Sequence, residues 1–225
     1  MSDAATLPQR VRLAIFERLA SSGSPPVLEE LMSDFDLSRG EASAVLEELA
    51  AARHIALVKG TSRILMAFPF SAVATPFRVT AAGTSYFANC AWDAVAFHSM
   101  LDRDIVIGSF CHHCARPIDV EMSDGRAKRV EPETALVYLA LRPTQWWEDI
   151  ITTCSNTMVF FCSREHRDAS DLAAADGASL TPDETHALGV PLYARKLSID
   201  YERPTPAELT AHFASLGFTD RYWQS

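Results

Sequence analysis

Long hydrophobic runs are missing from this 225-residue chain. No stretch approaches the ~18 apolar residues expected of a membrane span, so no membrane partner is expected. The start, Met1 to Gln9, has no basic segment leading into an apolar one, and is read as carrying no signal peptide. Positive charge is in short supply: 20 Lys and Arg face 29 Asp and Glu, for a net charge of −9. Broad phosphate binding needs clustered cations, so a nucleic-acid partner is disfavoured. The chain also lacks a phosphate loop, a dinucleotide fingerprint and a nucleophile elbow, leaving nucleotide-dependent and serine-hydrolase chemistry without support. Internal repeats and low-complexity segments are absent as well. Cysteine is scarce and odd in number, at five. That argues against a pure disulfide framework and for a cytoplasmic protein with reduced thiols.

What is present is an ordinary globular balance, 48% hydrophobic and 22% charged, in a chain long enough for one large or two small domains. Leu7, Val11, Ile15 and Leu19 fall four apart and predict an amphipathic helix ending near Ser21-Ser22-Gly23. Val27 to Phe35 predicts a second helix. Ser38 with Glu41 forms a capping-box signature for a third, whose apolar face is Ala42, Val45, Leu46 and Leu49. Two β-like pieces follow, at 54–58 and 62–67. The fold class expected is α+β: a winged-helix-like three-helix unit over residues 1–68, a linker over 69–80, and an α+β catalytic domain with small antiparallel or mixed sheets over 81–225. The third helix carries Glu41, Glu47 and Glu48, which would repel phosphates. The first unit is therefore read as packed on the rest of the protein rather than as a DNA reader.

In the second part, 77–79 reads as a strand. Ala82 to Ser85 reads as a turn with cap residues for a helix running to Leu101, with His98 and Met100 as packing residues. Strands are expected at 104–110, 117–122, 135–141 and 158–162. Helices are expected at 146–152 (or a turn), 164–174, 180–188 and 205–216, and 190–197 is only weakly assigned.

The thiols are the chemically informative residues. Cys90 and Asp93 stand three apart at a helix start, so both can share one face. Unpaired N–H groups there favour a thiolate, while the apolar neighbours Trp92, Val95, Ala96 and Phe97 raise a carboxyl pKa. A protonated acid beside a metal-binding thiol can deliver a proton to a developing carbanion. A buried structural Cys with a capping or salt-bridged Asp is the plainer reading and stands beside it. Cys154 precedes a hydrophobic strand among Thr153, Ser155, Asn156 and Thr157, which suits a partly open site; a structural role is again the alternative. Cys111-His112-His113-Cys114 has a spacing that fits zinc or a redox pair. No second pair stands at matching spacing: Cys154 with Cys162, or Cys162 with His166, could be called on, but neither has a knuckle-like turn, so the segment reads first as a hairpin turn with reduced thiols. A bound transition metal and a thiol relay are the alternatives. Cys162 reads as core. Trp146-Trp147 reads as a wall or lid, or equally as a plain helix start.

Three stretches resemble the alkylmercury lyase (organomercurial lyase) family. One runs from Phe68-Pro69-Phe70-Ser71 through Thr75-Pro76-Phe77-Arg78-Val79 into Tyr86-x-x-x-Cys90-Ala91-x-Asp93-Ala94. Another is the Cys111 segment ending in Arg116-Pro117-Ile118. The third is Cys154 ahead of Phe160-Phe161. Together with the winged-helix-like unit they span roughly residues 8 to 170. The resemblance implies protonolysis of a carbon–mercury bond to a hydrocarbon and Hg(II), a detoxification reaction. Cys90 would attack mercury, Cys154 would supply the second thiol, and Asp93 would take and pass the proton. All three would hold the product Hg(II) transiently. It implies no organic cofactor and no resident metal. The partners implied are a small organomercurial substrate, low-molecular-weight thiols and a mercuric reductase. A gapless alignment on Phe160-Phe161 sets Ser155 at the second thiol position. A one-residue shift restores Cys154, and is preferred because a serine hydroxyl does not replace a thiolate on mercury. A thiol-based metal sensor that reads DNA, a divergent organometal-binding relative and a zinc-stapled domain are the competing readings.

Overall fold

One N-terminal device recurs through the chain. Thr6 with Gln9, Ser38 with Glu41, Thr181 with Glu184 and Thr205 with Glu208 each form reciprocal capping boxes. Each satisfies two otherwise orphaned N–H groups and contributes about 1 kcal/mol. The helices so started are α1 (Leu7–Ser22), α3 (Arg39–Ala51), α7 (Pro182–Tyr193) and α8 (Pro206–Ser215). A computed structural model describes residues 5–223. The first four and last two residues, which fall in the stretches 1–68 and 81–225 and include the start of the segment tested for a signal peptide, lie outside the described residues.

The remaining elements are α2 (Leu28–Phe35), β1 (Ile55–Leu57), β2 (Ile64–Ala67), β3 (Phe70–Ser71), β4 (Arg78–Ala81), β5 (Thr84–Phe87), α4 (Ala91–Leu101), β6 (Ile105–Phe110), β7 (Pro117–Ser123), β8 (Arg126–Glu131), β9 (Leu136–Leu139), α5 (Ile150–Thr152), β10 (Met158–Phe161), α6 (Arg164–Asp168) and β11 (Ala178–Leu180). They form an α+β fold with three small antiparallel sheets, ordered β1-β2-β3, β5-β4-β6-β7-β8 and β10-β9-β11. Phe70 and Ser71, in the stretch read as a linker, pair with Ala67 and Met66.

Three expectations need correction. The helix expected to follow Ala82–Ser85 starts later, at Ala91; the stretch before it is the β4–β5 hairpin. Thr84 and Ser85 serve the strand, and the cap is Cys90 itself. The polar helix expected over 164–174 closes at Asp168. The weakly assigned segment after Leu188 continues α7 as far as Tyr193, through Pro191. A proline inside a helix frees the carbonyl four residues earlier. Here that carbonyl, on Ala187, is taken by His212 Nε2 of α8 at 2.9 Å.

The core is one continuous cluster from Val11 to Trp223. Burying each aliphatic or aromatic side chain of this kind contributes roughly 1.5–3 kcal/mol. On α1 the buried face is Val11, Arg12, Ile15, Phe16 and Leu19. The Arg12 guanidinium donates to the carbonyls of Lys196 (2.7 Å), Ser198 (2.6 Å) and Ile199 (3.4 Å), tying α1 to the segment after α7. Helix α4 is buried on every side from Ala91 to His98. It packs against α7, β10 and the strands β4, β6 and β7, so its first turn lies in the interior. As expected, His98 and Met100 are buried packing residues. His98 accepts from Gly125 N–H at 2.8 Å, and its Nδ1 lies 2.6 Å from the Arg103 carbonyl. No helix among the described residues is long and apolar enough to cross a membrane.

Candidate active site

The interior start of α4 carries the first two site residues. Cys90 is the extended N-cap, and its Sγ accepts from the Asp93 N–H at 3.3 Å. A sulfur in the usual place of a cap oxygen satisfies one orphan donor and turns the thiol inward. Asp93 sits one turn on. The third residue, Cys154, comes from a π-helical turn, Thr153–Thr157, directly ahead of β10. One ligand atom from each of Cys90, Asp93 and Cys154 lies within 4.8 Å of the others. All three residues are buried, at 2%, 1% and 3% exposure. Ser155, the competing candidate for the second thiol position, is exposed.

Asp93 is held from both sides. Tyr193 Oη donates to Oδ1 at 2.6 Å and Asn89 Nδ2 donates to Oδ2 at 3.0 Å. Asn89 is itself anchored by donating to the Pro69 carbonyl at 3.0 Å. Burial pushes the Asp93 carboxyl up, against the opposing pull of Tyr193 and Asn89. That agrees with the direction expected from its apolar neighbours. For Cys90 the expectation fails: burial, contact with Cys154 and the Asp93 charge push its thiol well up, and the helix-start N–H only partly offsets them. Desolvation outweighs the helix terminus here because the cap is interior rather than at the surface. Cys154 is drawn down by its contact with Cys90, but burial and the Asp93 charge outweigh that and leave it raised.

A cavity of about 40 Å³ opens onto these groups, lined also by Phe68, Met158 and Tyr193. That is room for a few waters at most. A larger chamber of about 250 Å³ lies beside it. Trp146, Trp147, Leu192 and Arg203 line both, so the tryptophan pair read as a wall is the partition. Trp147 is clamped between cations, with Arg53 at 5.1 Å and Arg203 at 4.9 Å from its ring centre. Behind Tyr193, Lys196 is buried against the rings of Phe16, Phe68 and Tyr193. Its Nζ donates to the Phe68 carbonyl at 2.5 Å. Burial pushes this amine well down.

The family model described as alkylmercury lyase matches residues 70–194, more than half of the chain. The chain belongs to the alkylmercury lyase family. Among its relatives, the alkylmercury lyase of Staphylococcus epidermidis is 23% identical over 168 residues, 75% of this chain and 71% of that protein. Those of Bacillus cereus and Clostridium butyricum are each 28% identical over 142 residues, 60% of this chain and 59% of each relative. The chain thus spans about three fifths of the length of these two. A solved structure described as the mercury-bound form of MerB2 superposes with a TM-score of 0.68 at 18% identity, covering 87% of this chain and 92% of that one. At that identity the likeness establishes a shared fold.

Residue reasoning did not single out Asn89, Tyr193, Lys196 or Arg203. Asn89 adjoins Cys90 in the chain and was the most accessible of them. Tyr193 and Lys196 lay in the weakly assigned segment.

Proposed function

We propose that this protein cleaves the carbon–mercury bond of organomercurials by protonolysis, with Cys90 and Cys154 as mercury ligands and Asp93 as the proton carrier. The observation that carries the reading is the convergence of two thiols and one carboxyl on one buried point, all within 4.8 Å. Both thiols meet the substrate protonated, because their pKa values are raised. Asp93 accepts a thiol proton as a Cys–S–Hg bond forms and displaces the substrate's outgoing ligand. The other thiol passes its proton to that displaced ligand as a second Cys–S–Hg bond forms, which adds electron density at mercury and weakens its bond to carbon. The electron pair of that bond stays with carbon, and Asp93 returns the proton to it. In sum, an organomercurial carrying an anionic outgoing ligand and two thiols give a hydrocarbon, a dithiolate-bound Hg(II) and the protonated outgoing ligand.

The reaction as written needs no organic cofactor and no resident metal. Low-molecular-weight thiols deliver the substrate and collect Hg(II). A mercuric reductase is the class of enzyme that consumes the product, in the cytoplasm where such thiols are abundant. A substrate that reaches the thiols from the larger chamber passes the wall of Trp146, Trp147, Leu192 and Arg203 that lines both cavities.

Incubating the protein with phenylmercury and excess thiol, and following benzene by gas chromatography, tests the reading. Benzene release that is lost in Cys90→Ala, Cys154→Ala and Asp93→Ala is the expected result. Tight mercury binding without benzene from the wild type would overturn it.

A further inference from the structure

A second group of metal-ligating side chains lies apart from the first. Cys111 and Cys114 occupy the turn between β6 and β7. Cys162 directly follows β10, and His166 stands in α6. One atom from each lies within 4.8 Å of all the others. Cys114 Sγ is 3.8 Å from Cys162 Sγ, Cys111 Sγ is 3.8 Å from His166 Nδ1, and Cys162 Sγ is 2.9 Å from that same nitrogen. Tetrahedral zinc, with bonds of about 2.3 Å to sulfur and about 2.0–2.1 Å to nitrogen, sets neighbouring ligand atoms roughly 3.5–3.8 Å apart. Two of the measured edges already have that length, and the third, at 2.9 Å, needs to lengthen by about 0.6 Å.

We propose that Cys111, Cys114, Cys162 and His166 form a closed, four-coordinate structural zinc site, separate from the organomercurial site and independent of the function proposed for it. The spacing is Cys-x-x-Cys followed by Cys-x-x-x-His. The second pair escapes a sequence search for knuckles because it spans a strand end and a helix start. Ser163, the α6 cap, accepts from the His166 N–H at 3.3 Å and so sets the imidazole back over Cys162.

The backbone of the first pair is already shaped for a metal. Cys111 N–H donates to the Arg116 carbonyl (2.8 Å) and Ala115 N–H to the Cys111 carbonyl (2.9 Å), closing the turn. His112 N–H donates to Phe160 on β10 at 2.9 Å. Ala115 takes φ +57°, a left-handed conformation that costs a residue with a Cβ. Cys111 anchors the turn in the core while Cys114 and Ala115 are exposed, so a metal at Cys114 would add a tie at the turn's outer end.

The thiols differ in a way that a divalent cation would resolve. Burial pushes Cys111 up, yet the backbone N–H groups of Cys162, Cys114 and His113, together with His166, outweigh it and bring it down to about 6. Burial and the two neighbouring sulfurs push Cys162 up to about 12. Binding of Zn²⁺ releases the remaining thiol protons and leaves three thiolates and a neutral imidazole around the ion. With four protein ligands there is no open coordination position, which marks the site as structural. It would staple the β6–β7 turn to β10, the strand that follows the Cys154 turn.

The test is metal analysis of the full chain purified without chelator, together with cobalt substitution. Expected are stoichiometric zinc in the wild type and in Cys90→Ala, and its loss in Cys114→Ser and His166→Ala. The Co²⁺-loaded wild type should show sulfur-to-metal charge transfer and tetrahedral ligand-field bands. Chelator should lower the melting temperature of the wild type but not of Cys114→Ser. Cys114 is exposed, so its replacement removes no packing. Should either variant fail to fold, the cobalt spectrum of the wild type still reports the ligand set. Failure of the reduced wild type to take up zinc or cobalt overturns the proposal. So does zinc retained in both ligand variants, or zinc lost with Cys90 instead.

Discussion

The hydroxyl of Tyr193 donates a 2.6 Å hydrogen bond to Oδ1 of Asp93, a contact made across 100 residues of sequence. It joins α7 to the start of α4 and favours the ionised carboxylate. Burial alone would otherwise drive Asp93 toward its protonated form. Tyr193→Phe keeps the buried ring and removes the donor. A hydrogen bond to a charged group contributes about 1.5–3 kcal/mol, so losing it should push the Asp93 pKa further up. In the proposed reaction Asp93 must be ionised to take the thiol proton. The acid limb of kcat/KM should therefore move to higher pH, with kcat falling roughly tenfold. An unchanged pH profile would remove Tyr193 from the positioning of the acid.

Ser155 and Cys154 differ in exposure in a way that bears on their roles. Cys154 is buried with its sulfur in the cluster, and Ser155 is exposed. Ser155→Ala should leave the rate of benzene release within about twofold of wild type, since surface substitutions of this kind have small effects. Cys154→Ala should abolish it. A collapse in the Ser155 variant would reverse the assignment of the second thiol.

At Gly189, α7 comes into tight contact with α4. A Cβ there would stand 2.8 Å from Trp92 Nε1. Trp92 has little room to retreat, because it is buried and stacked edge-on with Trp146 at 5.1 Å. Gly189→Ala should cost about 1–3 kcal/mol of stability, as overpacking typically does. Because α7 also carries Tyr193, it should lower kcat as well. Urea denaturation and the benzene assay read the two effects separately. Full stability in the alanine variant would show that the helices can part at no cost.

How far the sequence discloses this molecule depends on the range of each signal. Cys90 and Asp93 were readable together because three residues along a helix start is a local relation. The partner thiol at Cys154 needed the family resemblance, since nothing local ties it to Cys90. Thr84 and Ser85 misled because hydroxyl side chains suit strands as well as caps, and a sulfur cap at Cys90 is an uncommon choice. Strand β8, Arg126–Glu131, gave no apolar alternation because it is an edge strand with mostly solvent-facing side chains. The helix expected over 180–188 runs on through Pro191 to Tyr193, because His212, distant in sequence, compensates the carbonyl the proline frees. Tyr193 falls in the weakly assigned segment, and its partner Asp93 stands 100 residues away. Cys162 was read as core, which its burial supports, yet its sulfur faces Cys114 and His166.

His54 links pH to stability. It packs edge-on to Tyr201 at 5.9 Å. Burial, reinforced by Lys196, Arg12 and Arg203, holds its imidazole down at about 4. In the unfolded chain it titrates near 6.5. Between these values the unfolded state binds the additional proton, so stability is full above about pH 6.5 and is lost as pH falls toward 4. The ring is partly exposed, so solvent screening reduces the effect to about 1–2 kcal/mol. His54→Phe keeps the aromatic contact with Tyr201 and removes the proton site. Its urea midpoint should gain on wild type as pH is lowered from about 7.5 to about 5, and the two should run parallel above that range. Equal acid sensitivity in both proteins would assign the loss of stability to other groups.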